Sequence, residues 1–261
     1  MKKKIEDVVE IEIIEEVVEP TKPKKNLEII KDAWKPKTEI GKKVKSGEIT
    51  NIDEILDQGI RILEVEIVDI LLPNLEIDLA SVGQSKGKFG GGKRSIWKQT
   101  QKKTKEGNKP KFATLVVVGD NDGHVGIGYG KAKETVPARE KATRQAKLNI
   151  IKIQRGCGSW ACDCAEPHSI PFKVHGKVGS VKIDLIPAPK GTALCVEQET
   201  KKLLYMGGIK DIYSKTFGQT KTKINLIFAC FEALKNLSKV KVKQEYIKKA
   251  GLVEGSIKNG K

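Results

Sequence analysis

The sequence predicts a mixed fold of antiparallel strands and helices, and two stretches carry most of that expectation. In "KFATLVVVGDNDGHVGIGYGKA", residues 112–118 read as a strand buried on both faces, "DNDG" as a turn, and residues 125–129 as the returning strand. In "KINLIFACFEALKNL", Ile224, Ile227, Phe228, Phe231 and Leu234 fall on one stripe of an amphipathic helix. A third observation sets the core material: 38% of residues are apolar but only 5% aromatic, so Ile, Val, Leu and Ala must fill the interior. At 261 residues there is chain enough for one large domain or two modest ones.

From the N-terminus, residues 1–25 alternate Glu with Val and Ile and read as a tail with no core of its own. Short helical patterns follow over residues 27–58, broken by Pro36, Gly41 and Gly47. Thr50 or Asn51 caps the last of them and Gly59 ends it. Residues 1–58 therefore form an extension expected to dock on a neighbouring protein or RNA, with Trp34 as an exposed anchor. The stretch "RILEVEIVDILLP" mixes strand and helix signals and stays open. Residues 86–111 hold ten basic residues and one acid, with Gly90, Gly91 and Gly92 interrupting them. A charge run alone is a solvated loop, but Phe89 and Trp97 among the lysines suit stacking on bases beside phosphate contacts. The segment is expected to order only on RNA.

After the hairpin, Pro137 opens a helix expected to run to about Ile151, with Ala138, Ala142, Ala146 and Ile150 as its seam. Small seam residues let it lie close on a sheet. "SIPFKVHG" and "VGSVKIDLIPA" read as strands joined near His175–Gly176. "ETKKLLYMGG" is a short helix stopped by Gly207 and Gly208, and "IKDIYSKTFG" a further strand. A lysine-rich tail follows the last helix.

The formal charge of +16 is uneven: the first nineteen residues carry −4 and the rest about +20, a balance suited to a polyanion. No apolar run reaches the roughly 18 residues of a membrane span, and the acid-interrupted start cannot serve as a signal peptide. A cytoplasmic chain with reduced thiols is the expectation. "GIGYGKA" fails as a nucleotide loop, because Lys131 stands where a dinucleotide fingerprint needs its third glycine and Ala132 where a Walker loop needs Ser or Thr. Its glycines read as tight turns, with Lys131 and Lys133 at a basic helix entrance where amides and ammonium groups meet an RNA phosphate. His124 and His175, both read as turn residues, have no nucleophile motif beside them.

Three cysteines and a histidine crowd "CGSWACDCAEPH", giving Cys157, Cys162, Cys164 and His168 the order C-x4-C-x-C-x3-H. Clustered thiols in a reducing compartment point to metal, and a closed Cys3His set to structural zinc. His175 is the substitute should His168 point away. An ordinary reduced linker and an iron–sulfur cluster are the other readings, the latter with no electron-transfer signal elsewhere in the chain.

"VVVGDNDGHVGIGYGKAKETVPAREKA", "IPAPKGT" and "GGIKDIYSKTFGQTKTKINLIFACFEALKNL" together resemble the family of ribosomal protein five of the small subunit, and "WKPKTEIGKKVKSGEITNIDEI" looks like the extension of its archaeal and eukaryotic branch. The resemblance spans residues 34–237. Ala193 and Glu197 stand where the family carries glycines after "APKGT". The resemblance implies two α+β domains: one like a double-stranded-RNA-binding fold, and a second β-α-β-α fold with a left-handed crossover, against the usual rule. The boundaries it suggests are residues 1–58 for the extension, 59–156 for the first domain, 157–168 for a Cys/His linker, 169–240 for the second domain and 241–261 for a basic tail.

It also implies a non-catalytic role in the cytoplasmic small ribosomal subunit, binding ribosomal RNA near the decoding region and the path by which messenger RNA enters. Small-subunit proteins four and eight would be neighbours, with three nearby. The implied RNA contacts are Lys86, Lys88, Phe89, Gly90, Gly91, Gly92, Lys93 and Arg94, joined by Lys131, Lys133 and Arg139. The rival readings are a zinc-dependent RNA-modifying enzyme, which would need an open metal position beside a proton-transfer group, and a free-standing RNA chaperone.

Overall fold

The computed structural model describes residues 31–84 and 94–256. At its centre lies the expected hairpin, β3 (Gly107–Gly119) and β4 (His124–Ala132), antiparallel with Val116 opposite Gly128. β1 (Glu76–Ala80) and β2 (Lys98–Thr104) both pair with β3, and β5 (Ile150–Lys152) pairs with β4. Residues 113–118 are buried throughout, because each face of this sheet is covered by something different.

On one face lies helix α4 (Thr135–Leu148), with Ala138, Ala142 and Ala146 fully buried. The glycines of "GIGYGKA" sit under it in the strand and form no turn. A Cβ at Gly126, Gly128 or Gly130 would lie 2.3, 2.0 or 2.1 Å from the carbonyl oxygens of Ala146, Ala142 and Ala138. The periods explain the match. Two strand residues advance about 6.6 Å and four helix residues about 6.0 Å, so glycines at every second strand position track alanines at every fourth helix position. The helix ends at Leu148, and Ile150 belongs to β5, where it pairs opposite Gly126. The seam is therefore one residue type, alanine, and Ile150 reaches the same core from a strand.

The other face carries the second domain. Leu115, Val117, Val125 and Ile127 share a core with Leu203, Leu204, Met206 and Ile209. That domain has β7 (Val174–Val178), β8 (Val181–Pro187), β9 (Leu194–Cys195) and β10 (Ile212–Phe217) in the order β7-β8-β10-β9, backed by α5 (Gln198–Met206) and α6 (Lys223–Leu237). β9 and β10 are parallel neighbours joined through α5, the connection for which the resemblance implies a left-handed crossover. Here too a glycine admits a helix: a Cβ at Gly176 would lie 2.0 Å from the Ala229 oxygen of α6. His175 and Gly176 are thus inside β7, and the turn is at Gly179 and Ser180. The domains are also pinned by polar contacts at the edge strand, where Glu199 accepts from the Ser81 amide (2.8 Å) and Lys202 donates to the Leu79 carbonyl (3.0 Å).

"RILEVEIVDILLP" resolves as helix α3 (Val65–Leu71). It packs with α1 (Glu39–Ser46) and α2 (Ile52–Asp57) on the α4 side of the sheet. Trp34 is buried among Val44, Ile52, Ile55 and Ile67, so it is no exposed anchor. Its indole donates to Glu64 (2.8 Å), whose other oxygen accepts from the amides of Lys37 and Thr38. Gly41 lies within α1 and breaks nothing, since a Cβ there would press on Pro36 and Trp34 at 3.0 Å. Residues 98–111 are no structureless loop either. They form β2 and the outer half of β3, a hairpin turned by Gly107 at φ 112°. Beyond α7 (Gln244–Lys249), β11 (Val253–Glu254) returns to pair with β6 (Gln154–Arg155).

The two terminal segments meet at the "DNDGH" turn. His124 is fully buried, the first residue of β4, with Nδ1 2.6 Å from Asp120 and Nε2 2.9 Å from Asp53 of α2. Burial alone would lower its pKa, but the hydrogen bonds to Asp120 and Asp53 outweigh that and raise it to about 9. Arg155 bridges Asp122 (2.9 Å) and the Gly255 carbonyl (2.8 Å), and Ser256 donates to Asp122.

Gly128→Ala should cost about 3 kcal/mol or more in urea unfolding, because backbone has to move, whereas Lys141→Ala on the exposed face of α4 should stay within about 0.5 kcal/mol. The raised pKa of His124 stabilises the fold fully below pH 6.5, and that stabilisation is lost as pH rises through about 9. His124→Gln should lower stability at pH 6 and flatten its fall between pH 6.5 and 9; an unchanged pH slope in unfolding experiments would remove the charged pair from the account.

Candidate metal centre and nucleic-acid interface

The segment joining the domains brings its four candidate ligands together. One atom each from Cys157, Cys162, Cys164 and His168 lies within 4.8 Å of the others. A tetrahedron of ligands at about 2.3 Å from zinc has edges of about 3.8 Å, so a small contraction would close this set around an ion. Cys162 Sγ is 3.8 Å from His168 Nε2. His168 Nδ1 is 2.9 Å from Asp211, which leaves Nε2 to face the thiols, the carboxylate–histidine arrangement common behind metal ligands.

The surrounding backbone explains how so tight a spacing can converge. Ala165 adopts a left-handed φ of 52° directly after Cys164, turning the chain between the C-x-C pair and His168. Cys157 is held by its amide to the Ala250 carbonyl (2.7 Å), and a Cβ at Gly158 would lie 2.0 Å from the Pro171 oxygen. His168 is gripped in turn, since its carbonyl accepts from the amides of Lys210 and Asp211. The thiols are unequal. The Lys190 backbone amide, then Cys164, pull Cys162 down to about 6, while burial, then Cys164 and Cys162, push Cys157 up to about 11. His175 is no substitute ligand, because on β7 it pairs with Asp184 at 2.6 Å.

Taken alone, Cys162, His168 and Asp211 have the order of a thiol–imidazole–carboxylate triad. Cys157 and Cys164 in the same space complete a four-ligand set and leave no open position at one ion. Asp211 carries no sign of this partnership in its own stretch of sequence. Its Oδ1 also accepts from the amides of Gly191 (3.1 Å) and Ala193 (2.8 Å), so it ties the "APKGT" loop to the cluster. Ala193 takes the left-handed conformation, φ 60°, at its family-glycine position. Glu197, at the other, caps α5 by accepting from the amides of Glu199 and Thr200.

The basic residues fall in two places. Lys131 is near the end of β4, Lys133 follows the strand, and Arg139 is in the second turn of α4; all three are exposed. α4 starts without a side-chain cap, so its first amides have no side-chain acceptor from the N-cap residue. At this same end of the sheet β3 outruns β4 and continues with β2 alone. Residues 98–111 of that arm carry six lysines and one acid and bury none of their side chains. Lys102 and Lys109 are directly opposite, a repulsive pair in isolation. Arg94 lies apart and donates to the Lys221 carbonyl (3.2 Å) of the second domain. Lys86, Lys88, Phe89, Gly90, Gly91, Gly92 and Lys93 lie outside the described residues.

Comparison with known proteins agrees with this architecture. Residues 96–154 match the model of "Ribosomal protein S5, N-terminal domain" and residues 176–248 that of "Ribosomal protein S5, C-terminal domain". The small ribosomal subunit protein uS5 of Nanoarchaeum equitans is 52% identical over 228 residues, covering 87% of this chain and 98% of that protein. Those of Methanocaldococcus jannaschii and Methanobrevibacter smithii are 48% and 46% identical, covering 87% and 85% of this chain and 97% of each relative. With both domains matched in order and nearly the whole length of such relatives covered, the chain belongs to the ribosomal protein S5 family, a non-enzymatic family of the small ribosomal subunit.

Proposed function

We infer that this chain, as a structural constituent of the small ribosomal subunit, holds ribosomal RNA with its β2–β3 arm, the glycine-rich segment before it in the sequence and the start of α4. The observation that carries this reading is the arm itself: a two-stranded hairpin with a net charge of +5 and no core beneath it. Isolated lysine pairs across a ladder repel, and phosphates between them remove that cost while releasing counterions. Residues 86, 88–94, 131, 133 and 139 are the proposed contacts, with Lys102, Lys109 and Lys111 added by the arm's geometry. Family membership supports a place near the decoding region and the path of incoming messenger RNA, with small-subunit proteins four, eight and three around it. The extension, two domains, linker and tail remain the proposed division, with α1 and α2 of the extension sharing the first domain's core.

The Cys/His cluster is proposed to hold one structural zinc ion, with Cys157, Cys162, Cys164 and His168 as ligands and Asp211 orienting the imidazole. A closed set of this kind polarises no substrate. The ion would brace a junction made of turns, where the linker meets the C-terminal segment, beside two domains whose orientation the shared core already sets.

Replacing Lys102, Lys109 and Lys111 with Ala should weaken binding to small-subunit RNA and make the slope of log affinity against log salt shallower by about one for each phosphate left unneutralised. An unchanged slope would remove the arm from the interface. Purified protein should contain one zinc per chain, absent in Cys162→Ser and Cys164→Ser, and Asp211→Asn should weaken zinc binding about 10- to 100-fold. Metal-free protein with freely alkylated thiols and native RNA binding would refute the site.

A further inference from the structure

Residues 156–172 contain no lysine or arginine, in a chain where 49 of 261 residues are basic. Within this stretch Trp160 is 100% exposed. The other two tryptophans are not: Trp34 is buried and Trp97 half-buried. An indole left wholly in water forgoes the burial that makes tryptophan a strong anchor. Its position is set by ordered backbone. Ser159, beside it, is buried, the Cys162 amide donates to the Ser159 carbonyl (3.2 Å), and Gly158 is clamped against Pro171. Trp160 is therefore held out on a short turn whose two ends are Cys157 and Cys162.

The charge around it selects the partner. Asp163 is exposed and has no ion-pair partner among the described residues, while Glu166 is matched by Lys190 at 2.6 Å. Lys190 and Lys210 face Glu166, so a nucleic-acid backbone would meet the unmatched Asp163 and no cation within residues 156–172, in contrast to the β2–β3 arm. A cation over the indole face would meet attraction from the ring, and Asp163, three residues on, supplies an unmatched negative charge nearby in the chain; arginine, with its planar head, suits an aromatic face best.

We propose that Trp160 and Asp163 form a docking knob for an arginine- or lysine-bearing segment of a neighbouring protein in the assembled subunit. The proposal rests on the subunit reading for the presence of a neighbour, and on the metal only for the stiffness of the turn. The test uses full-length protein carrying Trp160→p-benzoylphenylalanine, assembled into small subunits and irradiated, with and without Asp163→Lys, and zinc is measured in each sample. The expected result is a crosslink to a protein segment bearing arginine or lysine at the attachment point, abolished by Asp163→Lys. A crosslink to ribosomal RNA, or a protein crosslink indifferent to Asp163→Lys, would overturn it. Hydroxyl-radical oxidation of the unmodified protein gives an independent reading: Trp160 should be protected in subunits relative to free protein, and equal oxidation would also overturn the proposal. Zinc-free protein that still gives the charge-dependent crosslink would refute the metal site and leave the knob standing.

Discussion

The approach of α4 to β4, backbone against backbone, is the constraint on which the rest of the molecule is built. Gly126, Gly128 and Gly130 give up their side chains so that Ala138, Ala142 and Ala146 can lie on the strand. That close approach lets β3 bury side chains on both faces, while Val125 and Ile127 of β4 point only to the second domain. Val116 and Val118 serve the helical side with α1, α2 and α3, while Leu115 and Val117 serve the second domain. A sheet buried on both faces cannot be finished by either domain alone, so the domains are joined by core as well as by chain.

Function is placed on what this body leaves uncovered. The sheet supplies a rigid root for the β2–β3 arm, whose lysines, Lys98 apart, lie beyond the last apolar residue of β3 paired to β4. The Cys/His turn lies where the linker and the C-terminal segment meet, held by backbone hydrogen bonds such as that from the Cys157 amide to the Ala250 carbonyl. The two segments differ in charge, with six lysines and one acid in residues 98–111 against two acids and no lysine or arginine in residues 156–172. A particle made of RNA and basic proteins offers partners for both, and the separation of charge keeps each partner to its own surface.

Much of this is legible in the residues. The double-sided strand shows as a continuous apolar run bounded by a turn, the alanine seam and the amphipathic helix show as helical periods, and the Cys/His order survives folding as a cluster. Other features are hidden for physical reasons. Glycines spaced by two look like turn residues unless the partner helix is known, so "GIGYGKA" reads as a loop. Trp34 reads as exposed because Val44, Ile52, Ile55 and Ile67, which share its core, come from three separate short helices. The β2–β3 arm reads as loop because a strand without an apolar face has no period to detect. Asp211 and the returning C-terminal strand act through tertiary contact alone, and no local pattern announces either.

The central claim is that the two domains share one core through β3 and β4. Differential scanning calorimetry of the full chain tests it most directly. The account predicts a single transition whose calorimetric and van't Hoff enthalpies agree. Two separable transitions, one for each domain, would contradict it.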